Sequence, residues 1–168
     1  MEEALMEEKA KAFMVEAKDE AEGGDLDNGA TYDTVKDHIV QQVQKNFEYG
    51  HDIACSLRDL TLKDLNSERP VRPTSSATDA EVKKQEQAGL DMFFNAEVKV
   101  FIERKQKLEQ NTKKVYATIW GYCSKTIQNR IEAHASYETT IRDDPIELLK
   151  AIKLWCMILN VQSTRMHH

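Results

Sequence analysis

The sequence predicts an all-α protein, and three observations support that prediction. Apolar residues recur at helical spacing in several stretches, whereas no stretch of useful length alternates apolar and polar residues as a half-buried strand would. Only six glycines and three prolines interrupt the 168 residues. Signals for a helix start also stand directly before periodic stretches, most completely in DDPIELLKAIKLW at 143–155.

Composition limits the class of protein. A chain of 168 residues with 40% hydrophobic and 31% charged residues is typical of one helix-rich domain, alone or with an extension. Three widely spaced cysteines without a CxxC motif predict neither a disulfide framework nor a zinc ribbon. The acidic start does not match a targeting peptide, and the longest apolar run, LWCMIL, is far shorter than a membrane span. We therefore expect a reduced, cytoplasmic setting.

The first 28 residues differ in charge from the rest. They hold ten acidic residues against three lysines, a net charge of −7, while residues 29–168 are close to neutral. Apolar residues share one face of a predicted helix over residues 2–21, and Gly23 and Gly24 end it. The sequence therefore predicts an acidic helical extension and flexible hinge over 1–28, joined to a helical domain over 29–168.

The first part of that domain reads as two helices and a loop. A helix is predicted from Asp33 to about Tyr49, and Gly50 marks a break before the pattern resumes through Leu60. The buried face of the first helix is predicted to hold Val35, Ile39, Val40, Val43 and Phe47. Two prolines and several small polar residues predict a loop over 67–78.

The second part is predicted to contain one very long central helix. Thr78 and Glu81 have the spacing of a capping box, and no proline follows before residue 133. A helix over 81–133 is expected, with a break near Gly89 as the alternative. Apolar or aromatic residues repeat every seven positions, as in a coiled coil, at Phe101, Leu108, Val115 and Tyr122.

The last helix has the most complete start signal. Asp144 can cap the first turn, Pro145 occupies the first helical position, and Glu147 can reach back to the cap. The stretch SYETTIRDD at 136–144 is predicted to be the loop before it. The apolar face of the last helix is predicted to hold Ile146, Leu149, Ile152 and Trp155. For the whole domain the predicted core is Ile39, Val43, Phe47, Ile53, Leu57, Leu108, Val115, Ile119, Trp120, Ile127, Leu149, Ile152 and Trp155.

Residues able to carry chemistry are present but do not form a convincing active site. Cys123 and His134 are roughly 16 Å apart along a continuous helix, too far for a nucleophile and its base. His51 and Cys55 share a helical face, yet a structural zinc site needs four ligands. The terminal His167 and His168, whether native or a tag remnant, complete no site. We expect no enzyme activity, metal or cofactor.

The remaining features favour macromolecular contacts. Basic residues on or beside the central helix are candidate contacts for nucleic acid: Lys99, Arg104, Lys105, Lys107, Lys113, Lys114, Lys125 and Arg130. The alternative is that they form the solvated side of a long helix. Candidate packing or interface residues, which sequence cannot separate from the core, are Trp120, Trp155, Leu154, Met157 and Ile158.

Five short motifs follow one another along the chain. Their residues are Tyr49, Gly50, Asp52 and Ile53, then Arg104, Leu108 and Glu109, then Ile119, Trp120, Gly121, Cys123 and Ser124, then Asp144, Pro145, Leu148, Leu149, Ile152 and Lys153, and finally Asn160, Gln162 and Arg165. In this order they resemble the amino-terminal part of the Gag-like capsid polyprotein of copia-type LTR retrotransposons, especially those of diatoms and other microalgae. The resemblance covers about residues 35–165.

The resemblance implies a non-enzymatic structural protein that assembles a shell around the element's RNA through contacts between helices. Its expected partners are further copies of itself and, weakly and without sequence preference, RNA, with no membrane and no small-molecule substrate. Residues 1–21 have no counterpart in the pattern. The second capsid half, the CCHC zinc knuckle and the aspartic protease are absent, which implies a truncated or relic copy. A monomeric helical adaptor that binds a protein partner and an RNA-binding module are the alternatives.

Overall fold

The computed structural model describes residues 29–165, and all of its regular elements are helical. The five α-helices are α1 (Gly29–Asn46), α2 (Gly50–Asp59), α3 (Ala80–Tyr122), α4 (Lys125–Glu132) and α5 (Pro145–Arg165). A 3₁₀ helix at Leu65–Glu68 and a π-helical turn at Tyr137–Ile141 complete the list. The described part of the chain contains no strand, which confirms the all-α class. The predicted acidic helix and its hinge, residues 1–28, lie outside the described residues, as do His167 and His168.

The helices α1 and α2 form a tight antiparallel hairpin. The predicted apolar face of α1 is buried: Val35, Ile39, Val40 and Val43 are all less than 9% exposed. The turn between the helices places Tyr49 in the left-handed region at φ 52°. Gly50 follows, and a Cβ atom there would overlap the backbone carbonyl oxygen of Val43. The break predicted at Gly50 therefore exists because the two helix backbones approach closely at this point.

The central helix α3 is 43 residues long, as one long helix was predicted, and differs from the prediction at its two ends. Its N-cap is Asp79, whose carboxylate accepts hydrogen bonds from the amides of Glu81 and Val82, so the predicted capping box at Thr78 is wrong. It continues through Gly89 without a break. It ends at Tyr122, because Ser124 caps α4 by accepting from the amide of Ile127, so the helix does not extend to residue 133.

The region before α5 also differs from the prediction. Residues 137–141 form a π-helical turn where a loop was expected, with the Ile141 side chain 5% exposed. The cap of α5 is confirmed, since Asp144 Oδ1 accepts from the amides of Ile146 and Glu147 at 2.9 and 3.1 Å. The Glu147 side chain pairs with Lys150 instead of reaching back to the cap. A buried hydrogen bond joins α1 and α5: the Tyr32 hydroxyl donates to the Leu149 carbonyl at 3.2 Å.

One hydrophobic core joins α1, α2, α4, α5 and the second half of α3. Every residue of the predicted core lies in it or packs against it, and only Phe47, Trp120 and Trp155 among them are partly exposed. The buried residues of α3 are Leu108, Asn111, Val115, Tyr116 and Ile119. The first half of α3 has no buried residue, so it extends beyond the core. Residues 69–77 have no helix, and their contacts run along this first half.

Gly50→Ala should lower the free energy of unfolding by about 1–3 kcal/mol, the usual cost of an atom forced into an occupied space. Gly89→Ala is the matched control, because a Cβ atom at Gly89 meets nothing within 4 Å. There we expect a gain of up to about 1 kcal/mol from helix propensity. Urea denaturation of dilute protein measures both values. A neutral Gly50→Ala would show that the backbones of α1 and α2 can separate without cost.

Candidate interaction surfaces

A buried ion-pair cluster fixes α3 against α2. Asp52 is 2% exposed, and the Arg104 guanidinium donates to both of its carboxylate oxygens at 2.6 Å. Lys63 donates to the same carboxylate at 3.0 Å, and Glu68 pairs with both cations. Each charge of this cluster is satisfied by another member. The cluster therefore stabilises the packing of α3 against α2, and its charges are paired with one another.

The ionisation of the cluster follows from its contacts. Burial alone would raise the pKa of the Asp52 carboxyl, but the hydrogen bonds from Arg104 and Lys63 outweigh it and lower that pKa. Hydrogen bonds from the same two cations lower the pKa of Glu68. The hydrogen bond to Asp52 raises the pKa of Arg104 despite the opposing effect of burial. The charged forms are therefore the stable ones near neutral pH.

The eight candidate nucleic-acid contacts separate into two groups in the structure. Four have contacts within the chain: Arg104 lies in the ion-pair cluster, Lys107 pairs with Glu48, Lys105 donates to Asn66, and Arg130 lies 4.2 Å from the centre of the Trp155 ring. The other four are exposed on α3 and at the start of α4: Lys99, Lys113, Lys114 and Lys125. The basic face is thus smaller than the sequence suggests.

The predicted interface residues also separate. Trp120 is half-buried between Tyr116 and Tyr137, with ring centres 6.1 Å apart on each side. Trp155 is half-buried against the core under Arg130. The other three form an exposed group, here called the α5 patch: Leu154 at 61%, Met157 at 59% and Ile158 at 40% exposure.

A second exposed apolar surface lies on the first half of α3, and sequence reasoning missed it. This surface, here called the α3 stripe, consists of Val82, Gly89, Phe93, Ala96 and Val100, and the exposed Glu86 lies on the same side of the helix between Val82 and Gly89. Phe93 is 69% exposed and the neighbouring Met92 is 67% exposed. The spacing of seven, four, three and four residues is itself visible in the sequence. The missing information was that no other part of the described chain covers it.

Within residues 29–165, the cysteine and histidine candidates do not come together in one site. Cys123 is buried and donates to the Ile119 carbonyl, while His134 accepts from the amide of Ser136. His51 Nε2 and Cys55 Sγ lie 3.5 Å apart on α2. Within the described residues no third His, Cys, Asp or Glu joins them to hold a metal ion. An open surface cleft of about 420 Å³ lies beside α3, with Phe101 and Ile102 in its wall.

Comparisons with known proteins leave the family open: no family model matches the chain, and no match was found among curated proteins or solved structures. The resemblance to Gag-like proteins therefore stays a prediction. Within the described residues no helix is both long and apolar enough to span a bilayer.

Arg104→Met should lower the free energy of unfolding at pH 7 by about 3 kcal/mol, since it leaves the buried Asp52 carboxylate without its main partner. The folded pKa of Asp52 lies below its unfolded value, so this stabilisation is present above about pH 4 and is lost as pH falls through the folded pKa. In Arg104→Met the pKa of Asp52 rises, because burial is no longer offset by Arg104, so the difference in free energy of unfolding between the two proteins should shrink as pH falls from 7 to 2.

The matched control is Arg142→Met, which breaks an exposed pair with Glu138 on the π-helical turn. Its expected cost is much smaller, because an exposed ion pair contributes little to stability. Urea denaturation between pH 2 and pH 7 measures both variants. Equal costs for the two substitutions would contradict a structural role for the cluster.

Proposed function

We propose that the chain is a Gag-like, non-enzymatic structural protein of the cytoplasm that associates with copies of itself through contacts between helices. The observation that carries this proposal is the pair of exposed apolar surfaces, the α3 stripe and the α5 patch. Contiguous exposed apolar groups on a soluble helix favour contact with another macromolecule, because water is a poor solvent for them. Both surfaces present side chains in helical register, which suits another helix as the partner.

The positions of the motif residues support the resemblance. Asp52 and Arg104 belong to two different motifs, 52 residues apart, and they form the central ion pair of the fold. Gly50 allows the close turn between α1 and α2, Ser124 caps α4, and Asp144 caps α5. Each of these motif residues therefore has a part in forming the same fold. This pattern is expected of a structural protein whose motifs encode its shape.

Weak RNA binding is the second candidate, supported by the exposed Lys99, Lys113, Lys114 and Lys125. Four cations can give only a modest, salt-dependent affinity that does not distinguish sequences. A monomeric adaptor would use the same apolar surfaces for a different protein. Self-association and the adaptor role therefore differ in the partner and not in the surface.

Light scattering of the purified full chain distinguishes self-association from the adaptor role. We expect the average mass to rise with concentration from the 19.3 kDa of one chain. Met157→Asp should reduce this rise in average mass if the α5 patch contributes to self-association, because burying a carboxylate in an apolar contact is unfavourable. Ala117→Asp, at an exposed position on α3 outside the patch and with the same change of charge, is the control. A monomer at every concentration would contradict the proposal.

Filter binding to structureless RNA tests the second candidate. The combined substitution of Lys113, Lys114 and Lys125 by Gln should weaken binding at low salt and flatten its salt dependence by up to about two to three charges. Substituting the engaged Lys105 and Lys107 by Gln provides a comparison with two basic residues of the same helix. No measurable binding of the unmodified chain at low salt would exclude this candidate.

A further inference from the structure

The described chain begins close to α5. Helix α1 starts at Gly29, and three residues later the Tyr32 hydroxyl donates to the Leu149 carbonyl of α5. Leu149 precedes Leu154, the first residue of the α5 patch, by five residues, or about 7.5 Å along the helix axis. Residues 1–28 are therefore attached to the fold near an exposed apolar surface.

The reach of residues 1–28 is sufficient to place them on this surface. The hinge at 22–28 can span about 23 Å when it is extended. The α5 patch lies on the side of its helix away from the buried Leu149, Ile152 and Cys156, and a helix is about 10–12 Å across. The hinge can therefore pass around α5 and bring residues 2–21 against the patch.

The sequence of residues 2–21 predicts a helix with an apolar face that suits the patch. Five residues share one side at helical spacing: Met6, Ala10, Phe13, Met14 and Ala17. A single amphipathic helix is marginally stable in water, because most helices depend on the packing of their apolar face. The α5 patch offers apolar side chains in helical register, which is the kind of surface that such a helix contacts.

Charge favours the α5 patch over the α3 stripe as the partner of this acidic segment. Residues 1–28 hold ten acidic residues and three lysines. From Leu148 to Arg165 the sequence of α5 has three cations and no acidic residue. From Ala80 to Val100, α3 has four acidic residues and three lysines, and Glu86 lies on the side of the stripe itself. Electrostatic complementarity therefore directs an acidic helix to α5.

Cations flank the α5 patch on both sides. Lys153 is exposed on one side, and no ion pair to it is formed within residues 29–165. On the other side, Arg130 lies 4.2 Å from the centre of the Trp155 ring. Lys150 also borders the patch, and it pairs with Glu147, the single acidic residue of α5. An acidic helix that lies between these cations can pair with them while its apolar face covers the patch.

We infer that residues 2–21 dock as an amphipathic helix on the α5 patch of the same chain. The docked helix covers Leu154, Met157 and Ile158. This inference concerns a single chain, so it goes beyond the proposed function and does not depend on self-association. Where self-association uses the α5 patch, the docked segment competes with the second copy, because one surface cannot hold two partners. The acidic segment is then an internal cover whose release exposes the contact surface.

Disulfide cross-linking of the dilute full chain tests the position of the segment. In a Cys55→Ser background, Phe13→Cys combined with Met157→Cys should form a disulfide within one chain under mild oxidation. Phe13→Cys combined with Ile102→Cys is the matched control, since Ile102 is 49% exposed but lies in the wall of the cleft beside α3. The first pair should form at least about tenfold faster, because docking raises the effective concentration of its partner above that of a tether alone. Equal rates would overturn the inference.

Charge reversal tests the contribution of the cations. Lys150→Glu combined with Lys153→Glu should slow the disulfide between positions 13 and 157 by about threefold, the usual size of an effect from exposed charges. Lys113→Glu combined with Lys114→Glu makes the same change of charge on α3 and should leave the rate unchanged. Equal effects of the two double variants would overturn docking guided by these cations.

The outcomes separate this inference from the proposed function. A disulfide within a strictly monomeric chain would support docking and contradict self-association. Association that Met157→Asp abolishes, with no faster disulfide at positions 13 and 157, would overturn docking and keep the proposed function. A disulfide between two chains would place the segment on a neighbouring copy and overturn docking within one chain. Circular dichroism of each variant confirms that the changes do not come from a loss of fold.

Light scattering tests the segment as a cover of the patch. In a chain that self-associates through the α5 patch, Phe13→Asp should raise the average mass at a given concentration, because a carboxylate is unfavourable in the docked contact and the patch is released. A lower average mass would show that the segment takes part in the contact between copies, and would overturn its role as a cover.

Discussion

The buried pair of Asp52 and Arg104 decides how the long helix sits in this fold. A carboxylate that is 2% exposed must be paired, and its main partner comes from α3, 52 residues further along the chain. About two turns further along α3, Asn111 donates to the Glu48 carbonyl in the turn before α2, which adds a second attachment. These contacts fix both the rotation and the height of α3 against α2. They place its second half in the core and leave its first half outside.

This arrangement explains why periodicity alone could not separate core from surface. The residue at every seventh position is apolar or aromatic at Phe101, Leu108, Val115 and Tyr122, but only Leu108 and Val115 are buried. The first half of α3 has the same helical spacing of apolar residues, on a face that the described chain does not cover. The spacing of apolar residues predicts which face of a helix is buried. It does not indicate whether the helix that covers this face belongs to the same chain.

The sequence predicted the elements well where local chemistry decides them, and less well where tertiary contacts do. Asp144, followed by Pro145 and a regular apolar face, was sufficient to locate α5. The start of α3 was misplaced by one residue, because both Thr78 and Asp79 are good caps and only Asp79 has its side chain at the first turn. The end of α3 was missed, because Ser124 competes as a cap within a stretch that reads as continuous helix. Which basic residues have contacts within the chain and which are exposed depends on partners far away in the sequence, such as Asp52 and Trp155. No local sequence pattern reveals these partners.

The two exposed apolar surfaces would have different consequences for an assembly. A two-fold pairing along either surface uses the same residues on both copies, so it closes at a dimer and cannot grow further. A shell needs at least one more surface that is independent of the first. The α5 patch meets that requirement, because it lies on another helix and contains none of the stripe residues. Growth beyond a dimer would therefore need the α3 stripe and the α5 patch together.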